Sequence, residues 1–124
     1  MKPILVVDDE AIVRDSIKDW LQEAGYQVVT AATGEKALEM IRIQDFSVLV
    51  LDVRLPDKSG VTVLREAKAL KPQIKAIMIT AYPTVELADE SKKLGAIDYL
   101  TKPIFPEALE SLIKETLNKW GNAG

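Results

Sequence analysis

With 124 residues, 48% of them hydrophobic and 28% charged, the chain has the length and balance of one domain with a real core. Its formal net charge of -3 gives no general attraction to nucleic acid or to an anionic membrane. Neither cysteine nor histidine occurs, which excludes disulfides, thiolate metal sites, cysteine nucleophiles and a Ser-His-Asp triad, and leaves any chemistry to carboxylates, lysine, hydroxyls and backbone.

The first strand is expected at residues 4–7, ILVV, an apolar run too short for a signal peptide and closed at once by Asp8, Asp9 and Glu10. Val13, Ile17, Trp20, Leu21 and Ala24 follow at helical spacing, and Gly25 stands where a helix C-cap belongs. Residues 26–29, YQVV, read as the second strand. Thr33 is a cap for a second helix with Ala37, Leu38 and Ile41 on its inner stripe. The third strand, 47–51, delivers Asp52. Pro56, Asp57, Ser59 and Gly60 supply turn and cap chemistry for a third helix, striped by Val63, Ala67 and Leu70 and stopped before Pro72. The fourth strand, 76–79, leads to Thr80. The fourth helix, about residues 84–94, carries few large apolar side chains, so shallow packing and an easily shifted position are expected; Gly95 ends it. The fifth strand, 96–100, leads to Lys102. Pro106 and Glu107 start the last helix, whose inner face is Leu109, Leu112, Ile113, Thr116, Leu117 and Trp120. Trp20 and Trp120 read as core, and Lys92-Lys93 as a solvated face.

Strand then helix, five times over, predicts an α/β fold: a doubly wound, five-stranded parallel sheet in order 2-1-3-4-5, flavodoxin-like (βα)5. No linker divides the chain, so residues 1–120 are expected to form one domain and 121–124 a flexible tail or the start of a linker. No run approaches the ~18 apolar residues of a membrane span, and the chain reads as soluble and cytoplasmic.

In such sheets the site lies beyond the carboxyl ends of the strands, here between the first and third. Asp8, Asp9, Asp52, Thr80 and Lys102 all arrive there. Two like charges about 4 Å apart repel by about 4 kcal/mol at an effective dielectric of about 20, so the carboxylates need compensation. Oxygen ligands with room for water and phosphate favour Mg²⁺. Lysine beside a hydroxyl suits phosphoryl oxygens, and the remaining carboxylate suits attack on phosphorus. Taken singly, Asp8 and Asp9 also suit a helix N-cap, Lys102 a solvated loop and Tyr99 edge-strand packing.

The combination of DDE after the first strand, LDVRLPDKSG at the third, TA after the fourth and LTKP after the fifth resembles response-regulator receiver domains of bacterial two-component systems over essentially the whole chain. The resemblance implies that Asp52 accepts phosphate from a phosphohistidine on a sensor histidine kinase. It implies Mg²⁺ bound directly by Asp9, Asp52 and the backbone carbonyl of Arg54, with Asp8 acting through water. Thr80 becomes the switch hydroxyl, Lys102 the phosphoryl contact, Tyr99 the aromatic that swings inward, and the Lys102-Pro103 bond is expected to be cis. Such a chain is no enzyme; it catalyses only its own phosphorylation and dephosphorylation, and it signals through its fourth helix, fifth strand and fifth helix. MITAYP and DYLTKP resemble receivers that precede ATPase and DNA-binding domains in sigma-54-dependent transcription activators. Also implied are a phosphorylation-dependent homodimer, no direct nucleic-acid binding by this domain and no membrane partner.

Arg54 and Tyr82 are expected to flank the phosphoryl mouth, with small Ala81 leaving an entry path. Two rivals fit less well. A haloacid-dehalogenase-type phosphatase needs Asp-x-Asp after the first strand, where this chain has Asp8-Asp9-Glu10. A flavodoxin-like FMN binder needs a Ser/Thr/Gly loop there, and DDEAIVRD would repel the phosphate.

Overall fold

The apolar runs pair side by side because each is buried on both faces, and a helix returns the chain after each one. The computed structural model describes residues 2–121. Its elements are β1 (Ile4–Val7), α1 (Ala11–Glu23), β2 (Val28–Ala31), α2 (Gly34–Ile43), β3 (Val48–Asp52), α3 (Gly60–Leu70), β4 (Ala76–Thr80), α4 (Val85–Lys93), β5 (Asp98–Thr101) and α5 (Pro106–Thr116), then a π-helical turn, Leu117–Gly121. The pairings among these five strands are all parallel and the order is β2-β1-β3-β4-β5, as the alternation predicts.

Period-2 alternation divides the core between two faces. Leu5, Val7, Leu49, Leu51 and Met78 pack against Ala37, Leu38 and Ile41 of α2 and Val63, Leu64 and Ala67 of α3. Ile4, Val6, Val48, Val50, Ile77 and Ile79 pack against Ile17 and Leu21 of α1 and Leu109 and Ile113 of α5. Trp20 packs against this second cluster as expected, whereas the side chain of Trp120 lies outside the described residues. Of the tail expected at 121–124, only Gly121 is described. Leu70, assigned to the α3 stripe, turns out exposed.

β2 and β5 each start two residues later than their apolar runs, for one reason. Gly25 and Gly95 adopt φ +98 and +93, and the residues after them are still tied to the preceding helix. The Tyr26 amide donates to the Leu21 carbonyl, and the Ala96 amide to that of Ser91. This Schellman closure withholds Tyr26 and Ala96 from the sheet. The α4 helix is held shallowly, as predicted: Thr84 caps it through the Leu87 amide, and Ser91 is its one buried residue. No described helix is long and apolar enough to cross a membrane.

Candidate functional site

At the carboxyl end of β1 the chain stays extended through Glu10, which has φ -84 and ψ 110. Asp8 is fully buried, its Oδ1 accepting from the Glu10 amide at 2.9 Å, and Arg14 of α1 donates to the Asp8 carbonyl at 2.8 Å. Asp52 ends β3, only 3% exposed, with Oδ1 accepting from the Arg54 amide at 3.1 Å. Behind it Gly60 donates to the Val53 carbonyl at 2.6 Å, and a Cβ there would run into the Asp52 carbonyl oxygen. Only glycine lets α3 start this close to the strand end.

Lys102 arrives from β5 on a cis Lys102-Pro103 bond, its amide donating to the Thr80 carbonyl at 2.7 Å. Its ammonium lies 2.9 Å from Asp8 Oδ2, 2.9 Å from Glu10 Oε1 and 3.2 Å from Asp52 Oδ2. Thr80 is buried, and its Oγ1 accepts from the Tyr82 amide at 3.1 Å. The Arg54 guanidinium stacks over the Tyr82 ring, 4.4 Å from its centroid. Asp9, Glu10, Asp52, Arg54, Tyr82 and Lys102 border an open pocket of about 340 Å³.

Burial, reinforced by the Asp8 charge, pushes the Asp52 carboxyl up to about 6 despite the Arg54 amide and Lys102, which favour its ionised form. Burial opposes the Lys102 charge, yet Glu10, Asp8 and Asp52 outweigh it and hold the ammonium above its ordinary value. The Asp52 shift fixes a pH dependence. Between 3.8 and about 6 the folded chain binds a proton at Asp52 that the unfolded chain has released. Without divalent ion, the Asp52 contribution should therefore fall as pH rises through that window and level off above it. Melting curves of wild type and Asp52→Asn test this; identical pH profiles would overturn it.

The structure brings Asp8, Asp52 and Lys102 together as expected. Asp8, Glu10 and Asp52 each offer a carboxylate oxygen within 4.8 Å of the others, a donor set suited to a hard cation. The expectation singled out Asp9 as the direct ligand beside Asp52; here Asp9 lines the pocket while Asp8 and Glu10 flank the ammonium. Glu10 received no role from the sequence, although the signal was present, since residues 8 and 10 of an extended segment share a side. Asp57 also differs from expectation. Ser59 caps α3 through the Val61 amide, but Asp57 reaches back to α2, accepting from the Gly34 and Glu35 amides at 2.9 and 2.8 Å. Tyr99 is half-buried against the cluster under α2 and α3, its hydroxyl enclosed and without a hydrogen-bond partner among the described residues.

The family profile for the response regulator receiver domain matches residues 4–114. The chain is 40% identical over 114 residues to the transcriptional regulatory protein ZraR of Escherichia coli K12, covering 92% of this chain and 26% of that protein. It thus spans about a quarter of that relative. Among solved structures it is similar to a CheY-like receiver domain from Methanospirillum hungatei, with TM-score 0.96 and 38% identity over 100% of this chain and 99% of that one. It is also similar to the beryllofluoride-activated NtrC4 receiver domain dimer, with TM-score 0.92 and 37% identity over 97% and 99% of the two chains.

Proposed function

The chain belongs to the response regulator receiver domain family of two-component systems, and on that premise we propose that it is an aspartyl-phosphate switch with Asp52 as acceptor. The observation that carries this is the Asp52 carboxylate, buried at a strand end yet open to a pocket, with an ammonium 3.2 Å away. In the proposed step an Asp52 oxygen attacks the phosphorus of a kinase phosphohistidine. A P–O bond forms, the P–N bond breaks, and the imidazole leaves with the electron pair and takes up a proton. Lys102 stabilises the charge gathering on the phosphoryl oxygens. Asp8, Asp9, Asp52 and the Arg54 carbonyl would hold Mg²⁺, with Glu10 offering a further oxygen. A bound divalent ion supplies charge neutralisation and a template for the phosphoryl group. Family membership displaces the phosphatase and flavin-binding rivals.

Acetyl phosphate with Mg²⁺ should add one phosphoryl group to the wild type and none to Asp52→Asn, read by mass spectrometry. Equal labelling of both would overturn the assignment. Millimolar Mg²⁺ should also raise the melting temperature, by relieving carboxylate repulsion, and the gain should disappear in Asp9→Ala/Asp52→Ala. A gain that survives the double substitution would remove those residues from the ion's ligands.

In this reading residues 1–120 form the receiver, acting in the cytoplasm without membrane contact. It turns over no external substrate and catalyses only its own phosphorylation and dephosphorylation. Thr80 and Tyr99 carry the change to the α4, β5 and α5 surface, and the thin packing of α4 supports that choice. Similarity to a transcriptional regulator supports downstream ATPase and DNA-binding domains of the sigma-54-dependent class, and similarity to a receiver dimer supports phosphorylation-dependent pairing.

A further inference from the structure

Glu10 is the N-cap of α1, yet its side chain makes no capping hydrogen bond. Instead its Oε1 lies 2.9 Å from the Lys102 ammonium, at the far end of the chain. An ammonium has three protons to donate. Lys102 faces three carboxylates, and Asp52, at 3.2 Å, is farther than Asp8 and Glu10, both at 2.9 Å. Glu10 Oε1 and Asp52 Oδ2 accept hydrogen bonds from the ammonium, whereas Asp8 Oδ2 pairs with it by charge and has no hydrogen-bond partner among the described residues. Glu10 therefore competes with a phosphoryl oxygen on Asp52 for the donors that point into the pocket.

We infer that Glu10 is a latch on Lys102, holding the ammonium in a resting position and releasing it when a phosphoryl group arrives. The inference rests on the receiver reading above. Glu10 is the partner that can let go. Its side chain is 60% exposed, so water replaces the ammonium with little loss, whereas Asp8 has no exposure and no such replacement. Lys102, 12% exposed, stays at the pocket wall and redirects one N–H from Glu10 to a phosphoryl oxygen without giving up a proton. Glu10 is therefore a positioning residue that acts through Lys102. By holding one donor back, it slows phosphoryl acceptance.

The test uses acetyl phosphate, from which the Asp52 oxygen takes the phosphoryl group as acetate leaves. Labelling rates at saturating Mg²⁺ are compared for wild type and Glu10→Gln, with Mg²⁺ affinity measured separately by calorimetry. Glu10→Gln should label about threefold faster, the size an exposed ion pair supports, while Mg²⁺ binds equally or more weakly. A faster rate without tighter Mg²⁺ binding is what a merely structural role would not give. A rate equal to or below wild type at saturating Mg²⁺ overturns the latch. Asp52→Asn in the same series keeps the two readings apart, since labelling that persists there rejects Asp52 as acceptor whatever Glu10 does.

Discussion

Lys102→Ala is expected to slow labelling of Asp52 by acetyl phosphate about a hundredfold at saturating Mg²⁺, the loss typical of removing one preorganised charge donor from a transition state. The same substitution strands three carboxylates. Asp8 and Asp52 are buried, and each loses its ammonium at 2.9 and 3.2 Å. A buried charge stripped of its partner commonly destabilises by about 3–5 kcal/mol, so the ion-free variant should melt well below wild type, and Mg²⁺ should recover more for it than for wild type. Thr80→Ala should act differently. Among the described residues its hydroxyl hydrogen-bonds to no carboxylate and instead accepts from the Tyr82 amide at 3.1 Å, at the root of the loop that leads into α4. Labelling should survive, slowed severalfold, while the response of α4 and β5 to beryllofluoride, followed by NMR, should be lost. A full response in Thr80→Ala would end its switch role. A labelling rate within twofold of wild type in Lys102→Ala would end the electrostatic account of the lysine.

The large features of this molecule were legible because they are repetitive. Short, mostly apolar runs of four or five residues, each followed by a helical stripe, admit few arrangements other than a covered parallel sheet, and the order found is one of the two common solutions. The strand ends were legible for the same reason: once β1, β3, β4 and β5 are parallel, Asp8, Asp52, Thr80 and Lys102 must meet at one edge. What was missed depends on one hydrogen bond or one side-chain direction. Tyr26 is half-buried against the core whether or not it joins β2, so hydrophobicity could not show that its amide belongs to α1. Asp57 caps a helix 23 positions earlier in the chain, and no local pattern announces that. Glu10 looked like the third member of an acidic run, and the extended backbone that turns it toward Lys102 continues beyond the strand proper.

Replacing Arg54 and Tyr82 together by alanine is expected to shorten the life of the phosphoryl group about tenfold, equivalent to about 1.4 kcal/mol of barrier. Hydrolysis needs a water in line with phosphorus, opposite the Asp52 oxygen. Both side chains border the pocket that holds Asp52. They are not two independent surface residues, since the guanidinium stacks on the ring at 4.4 Å. An exposed contact of this kind is worth about 0.5–1 kcal/mol, enough to favour the stacked arrangement over two freely moving chains. The pair then covers the approach that water would use, while Ala81, also at the pocket, leaves a path for the donor. A guanidinium and a phenol are poor bases for water at neutral pH, so what they exclude they do not replace with catalysis. Tyr82 is 61% exposed, which means that either single substitution should open the shield only in part. Loss of phosphate from the purified phosphoprotein, followed for the wild type, the two single variants and the pair, gives the comparison. The expected order is wild type slowest, singles intermediate and the pair fastest. An unchanged or slower rate in the pair would reject shielding.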